Sequence, residues 1–150
     1  MTLTQAIIFA SLIEREVRQE KDRPIVAGIL LKRLKKGWKL QVDASVQYAM
    51  ANVKCTNLLD DRQALNVKCD NWWPMLKTED LKIDSPYNTY TNLGLPPGPI
   101  CNPGLASIKA VVNPKETDYW YYLSDKQGNI RYAKTNEEHE ENIAKYLKPE

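Results

Sequence analysis

The sequence holds a single histidine and three cysteines, none in a Cys-x-x-Cys spacing, so the usual donor sets for a zinc site are missing. It has no Gly-x-Gly-x-x-Gly, no phosphate-binding loop and no Ser or Cys nucleophile elbow, which leaves nucleotide and acyl-transfer chemistry without support. Neither sign of charge dominates, since 21 basic and 19 acidic residues leave a net charge of +2. The densest basic run, Lys32-Arg33-Leu34-Lys35-Lys36, is broken by an apolar position, and this balance argues against a nucleic-acid partner. The longest apolar stretch, Ala6 to Ile13, is interrupted by Ser11. It is far shorter than the ~20 residues of a membrane span and has neither a basic lead-in nor a cleavage site. Nothing in this chain is expected to cross a membrane, and any exporting or anchoring segment of the natural protein is expected outside it.

What is present fits one domain over residues 1–150. The chain is 43% hydrophobic, enough at this length to bury a core beside a cleft. From Thr4 to about Gln19 no glycine or proline interrupts good helix formers, and Leu3, Ile7, Ala10, Glu14 and Val17 recur at three- and four-residue steps, the spacing of one helix face. Asp22 is placed to cap a second helix that has Pro24 in its first turn, an apolar stripe of Val26, Ile29, Leu30 and Leu34, and Gly37 just past its end. Asp43 opens a third, shorter helix through Met50.

Residues 51–84 are less regular and read as a partly structured insertion. They carry Cys55 and Cys69, Trp72-Trp73-Pro74 and a short turn at Thr78 to Leu81. The two cysteines sit in an internal echo, Asn52-Val53-Lys54-Cys55 against Asn66-Val67-Lys68-Cys69, and a disulfide between them is expected in an exported protein. The tryptophans are read as a subsite platform, a lid or the loop's own small core. Leu95 to Gly104 contains four prolines, which fix φ and remove backbone donors, so that segment is neither helix nor inner strand. A helix is expected from Leu105 to Val112. Asp118 to Ser124 and Ile130 to Lys134 then flank a glycine-containing turn and read as a β-hairpin. Thr135 or Asn136 caps a terminal acidic helix through Tyr146. The fold class is α+β, mostly helical, with a small antiparallel hairpin and a Pro-rich cleft loop.

Two acids, Glu14 and Glu16, stand near the end of the first helix. A carboxyl facing a dry cleft has its pKa raised and suits proton donation near neutral pH. Position alone does not choose between the two, and either also reads as a surface acid paired with Arg15, Arg18 or Lys21.

The segments Ala10-Ser11-Leu12-Ile13-Glu14-Arg15-Glu16, Leu40-Gln41-Val42-Asp43, Ser85-Pro86-Tyr87-Asn88-Thr89-Tyr90, Gly94 to Ile100, Asn102 to Ser107 and Tyr121 to Asp125 resemble, in order and over almost the whole chain, the motifs of the YceG-like endolytic murein transglycosylases. The resemblance implies cleavage of the MurNAc-β-1,4-GlcNAc bond of peptidoglycan without water, leaving 1,6-anhydro-MurNAc ends, and no cofactor or metal. It assigns the catalytic role to the first glutamate of the motif, Glu14, and not to Glu16. It also implies substrate contacts from Gln41, Asp43, Ser45, Tyr87, Asn88, Thr89, Tyr90, Pro97, Gly98 and Asn102. The family segment usually has proline and threonine where this chain has Ala44 and Ser45, and simple helix capping by Asp43 and Ser45 is the competing reading. If the resemblance holds, Glu14 opens into one groove with residues 41–45, 87–90 and 96–102, free of any close Arg or Lys. His139, among Glu137, Glu138, Glu140 and Glu141, reads as a solvated helix residue.

The same resemblance implies work on peptidoglycan glycan strands at the extracytoplasmic face of a bacterial membrane, beside cell-wall synthesis enzymes, with a membrane anchor absent from this chain. The alternatives are a lysozyme-like hydrolase that uses water as acceptor, and a non-catalytic peptidoglycan-binding module.

Overall fold

The computed structural model describes residues 1–56 and 72–147. Helix α1 spans Leu3–Glu16 and begins at a reciprocal capping box, in which Thr2 accepts from the Gln5 N–H and Gln5 accepts from the Thr2 N–H. It ends three residues earlier than its sequence suggests, because Val17 turns to extended backbone with its side chain fully buried. Glu16 is therefore the last helical residue. After a single 3-10 turn at Glu20–Asp22, helix α2 runs Arg23–Lys35 with proline in its first turn, and Gly37 takes φ 67° as the chain leaves it. The Asp22 side chain does not cap α2; it accepts a 2.9 Å hydrogen bond from the Tyr132 hydroxyl instead.

Helix α3, Asp43–Thr56, is longer than expected. The expected Cys55–Cys69 bridge, and residues 57–71 of the insertion that would contain it, lie outside the described residues. A 3-10 turn at Thr78–Lys82 follows, and the proline-rich loop leads into helix α4, Leu105–Val112, whose bounds are those the sequence suggests. Strands β1, Tyr121–Ser124, and β2, Ile130–Ala133, pair antiparallel with Tyr122 opposite Tyr132. The turn between them is closed by the Asp125 carboxylate, which accepts from the backbone N–H groups of Gln127 and Asn129 and pairs with Arg131. Helix α5, Asn136–Tyr146, is capped by Thr135. Among the described residues no helix is long and apolar enough to cross a membrane.

The core joins α1, α2 and α4 through Phe9, Leu12, Ile13, Val17, Val26 and Leu30, with Leu40 and Val42 from the segment before α3. Each large side chain contributes about 1.5–3 kcal/mol on full burial. Gly28 lets the chain at Lys115 lie directly on α2, since a Cβ there would sit 2.0 Å from the Lys115 carbonyl oxygen. Burial of the C-terminal part of α1 on both sides sends Glu14 and Glu16 toward different neighbours.

Candidate active site

Glu14 does not meet the expectation of an unpaired acid. Its carboxylate accepts from Arg23 at 3.2 and 3.3 Å, from the Gly104 N–H at 3.0 Å and from the Ser107 hydroxyl at 2.8 Å. Gly104 is the N-cap of α4 and has no side chain to serve its free N–H groups. Glu14 supplies that acceptor from α1, and Arg23 from α2 completes the joint. Burial pushes the Glu14 carboxyl up, but Ser107, the Gly104 N–H and Arg23 together outweigh it and leave the group below the ordinary carboxyl value. The absence of a nearby cation and the raised pKa expected for Glu14 are both corrected by these contacts.

Glu16 has the opposite surroundings. Its carboxyl faces a groove of about 450 Å³ lined by Arg33, Gln41, Asp43 and Tyr90 on one side and by β1 and α5 on the other. It accepts from the Tyr122 hydroxyl at 3.3 Å and from the Ala44 N–H at the start of α3. Burial first, then the Asp43 carboxylate, push its pKa up to about 8, against the Ala44 N–H, Tyr122 and Arg33, which act to lower it. Such a group holds its proton at neutral pH and releases it within reach of physiological conditions. Arg33 does not neutralise it by direct pairing: its guanidinium donates to the carbonyls of Trp120 at 2.9 Å and Leu40 at 2.8 Å.

Of the sequence-derived substrate contacts, Gln41, Asp43 and Tyr90 meet in this groove. Gln41 takes φ 55°, the only positive φ of a non-glycine residue among those described. This conformation is costly for a residue with a Cβ and is held here by the hydrogen bond from its N–H to the Thr89 carbonyl. The Tyr90 hydroxyl donates to Asp43.

The others are not among the groove lining. Ser45 and Thr89 are buried and bonded to each other at 2.9 Å, with the Thr89 hydroxyl also accepting from the Val42 N–H. Asn88 is fully buried, donates to the Leu81 and Ile83 carbonyls and accepts from the Tyr90 N–H. Tyr87 packs on Tyr48, and its hydroxyl lies against Gly98. Pro97 and Asn102 are exposed on the loop that leads to the Glu14 corner. Ser45, Asn88 and Thr89 build the wall that holds Gln41 to Asp43 and Tyr90, and the three segments do not all line the groove with one carboxyl as expected.

Sequence reasoning missed Arg33, Tyr121, Tyr122 and His139. His139 is not a solvated residue: it stacks on Tyr121 at 5.3 Å, lines the groove, and buries its Nδ1 without a hydrogen-bond partner among the described residues. Burial, together with the charge of Arg33, holds its imidazole below the usual range despite the opposing charge of Glu140. Its place in a run of acids hid it. The signal available was the aromatic density of the hairpin it packs against.

A family model described as the YceG-like family matches residues 1–145. The chain is 38% identical over 147 residues to an endolytic murein transglycosylase of Bacillus subtilis, covering 98% of this chain and 36% of that protein. It is 31% identical over 148 residues to one of Streptococcus pneumoniae, covering 98% of this chain and 24% of that protein. The chain thus spans about a third or less of the length of these curated relatives. The fold matches the crystal structure of a YceG-like protein from Listeria monocytogenes with a TM-score of 0.74 and 35% identity, over 99% of this chain and 40% of that one. The family match runs through every element that builds the groove and the Glu14 joint, and the chain belongs to the YceG-like family.

Proposed function

We propose that this domain cleaves the MurNAc-β-1,4-GlcNAc bond within peptidoglycan glycan strands without adding water, and that Glu16 rather than Glu14 is its general acid and base. The observation that carries the choice is the Glu16 carboxyl, pushed up to about 8 while lining a groove that also presents amide, hydroxyl and aromatic groups. The names of the relatives supply the substrate class.

Glu16 donates its proton to the leaving GlcNAc O4 as the bond to C1 of MurNAc breaks. The C6 hydroxyl oxygen of the same MurNAc closes onto C1, and its proton passes to the Glu16 carboxylate. Bond cleavage and ring closure balance, the acid is regenerated, and the product is a 1,6-anhydro-MurNAc end. One carboxyl serves both steps because the nucleophile belongs to the substrate. Gln41 offers an amide to the sugar N-acetyl or hydroxyl groups, and the stacked Tyr121 and His139 rings offer a flat face for sugar C–H groups.

Mass spectrometry of products from purified glycan strands tests the reaction. Ends lighter by one water than reducing MurNAc are expected. Reducing ends would support the lysozyme-like alternative, and binding without turnover would support the binding module. Release of growing strands at the extracytoplasmic face, by a longer protein that carries its own anchor, is the setting in which this activity fits.

A further inference from the structure

We propose that Asp43, tethered by Tyr90, is a second functional carboxylate of the site: it offsets the positive charge that develops at the MurNAc C1 as the glycosidic bond breaks. This rests on the reading of Glu16 as the acid. A single-carboxyl mechanism supplies the proton and recovers it, but leaves the oxocarbenium-like charge at C1 to be stabilised by something else.

The geometry points to Asp43. It is the first residue of α3, and the next residue, Ala44, gives its N–H to Glu16. The two carboxyls are therefore brought to the same groove by the start of one helix. The Asp43 side chain is held there from outside the helix by the 2.5 Å hydrogen bond from the Tyr90 hydroxyl. Beneath it, residues 41–45 are stitched to Thr89 through the Gln41 N–H, the Val42 N–H and the Ser45 hydroxyl. Asp43 is thus preorganised rather than free to swing, the property that makes a fixed charge effective when a substrate displaces water.

Two other acids anchored in this part of the fold are ion-paired. Glu14 is paired with Arg23 and Asp125 with Arg131. No Lys or Arg forms an ion pair with Asp43 among the described residues.

A second consequence concerns Glu16. The groups that face it are Asp43 from α3, Tyr122 from β1 and Arg33 from α2, and Asp43 is the one whose charge helps keep its proton in place. Tyr90, Tyr121, His139 and Glu140 complete the titratable lining of the groove. Glu16 must be protonated to start the reaction, so activity falls as pH rises through its pKa. Removing the Asp43 charge moves that alkaline limb to lower pH.

The test uses Asp43→Asn, which keeps the side-chain shape and a residue suited to a helix start. It should lower kcat roughly 100-fold, as loss of a fixed transition-state charge partner does, with little change in KM and with the alkaline limb shifted down. The pKa of Glu16, followed by 13C NMR of its labelled carboxyl and assigned with Glu16→Gln, should fall in Asp43→Asn with or without substrate. Tyr90→Phe leaves the charge but removes its tether; kcat should drop by a smaller factor and the limb should move no lower than in the parent domain. If Asp43→Asn keeps kcat and leaves the Glu16 titration in place while Glu16→Gln is inactive, the role of Asp43 is wrong and the acid assignment stands. If Glu16→Gln is active, the acid assignment itself fails.

Discussion

Replacing Glu16 with Gln should abolish turnover and at the same time stabilise the domain, by an amount that grows with pH. The fold raises this carboxyl from an ordinary 4.5 to about 8. Between those values the unfolded chain releases the proton while the folded one keeps it, so stability falls as pH rises, by about 1.4 kcal/mol per unit. At pH 7 the accumulated cost is roughly 3 kcal/mol, as an order of magnitude, and it levels off above about 8. Glutamine does not titrate, and its carbonyl accepts from the Tyr122 hydroxyl and the Ala44 N–H as the carboxyl does. The variant should therefore match the parent near pH 4.5 and exceed it at pH 7, where the gain corresponds to roughly 5–10 °C in Tm for a domain of this size. Thermal or urea denaturation of both proteins across this pH range reads the effect directly. A stability difference that does not change with pH would refute the reasoning, because it would mean that Glu16 is not protonated in the fold. A variant less stable than the parent at pH 7 would refute it equally.

Glu14→Gln should behave in the opposite way, keeping most of the turnover while losing about 1–3 kcal/mol of stability at neutral pH, a range already reduced for the solvent exposure of the pair. Since the folded pKa of Glu14 is lowered, its stabilisation is present above the unfolded pKa and disappears as pH falls through the folded one; denaturation curves of parent and variant should converge in acid. Thr89→Val removes the hydroxyl that accepts from the buried Val42 N–H and bonds Ser45. It should cost about 1–3 kcal/mol and lower kcat through the displaced Asp43 segment, which urea titration and steady-state kinetics measure separately.

The elements were largely legible in the sequence. The bounds of α4, the hairpin around a glycine turn and the proline-rich loop follow from local rules: capping, φ restriction and period-two alternation act within a few residues. Local rules failed where a distant partner intervened. Asp22 looks like a cap for α2 but gives its oxygen to Tyr132, 110 residues away. His139 sits among acids in the sequence and on Tyr121 in the fold. Ser45, Asn88 and Thr89 read as polar groups available to a sugar, yet all are buried in hydrogen bonds that shape the wall behind Asp43.

The sequence by itself determined the helix that carries the two acids, the family motif around them and the Gln41, Asp43 and Tyr90 positions on one side of the groove. It did not determine which acid faces that groove. Residues two apart on an α-helix differ by about 200° in direction, so Glu14 and Glu16 share every local feature and point to nearly opposite sides. Only the tertiary packing separates them. The N-cap Gly104 of α4 has no side chain of its own, and it draws Glu14, together with Arg23, into a charged joint. The start of α3, with Asp43 beside it and Tyr122 across from it, takes Glu16 into a place where its proton is hard to lose.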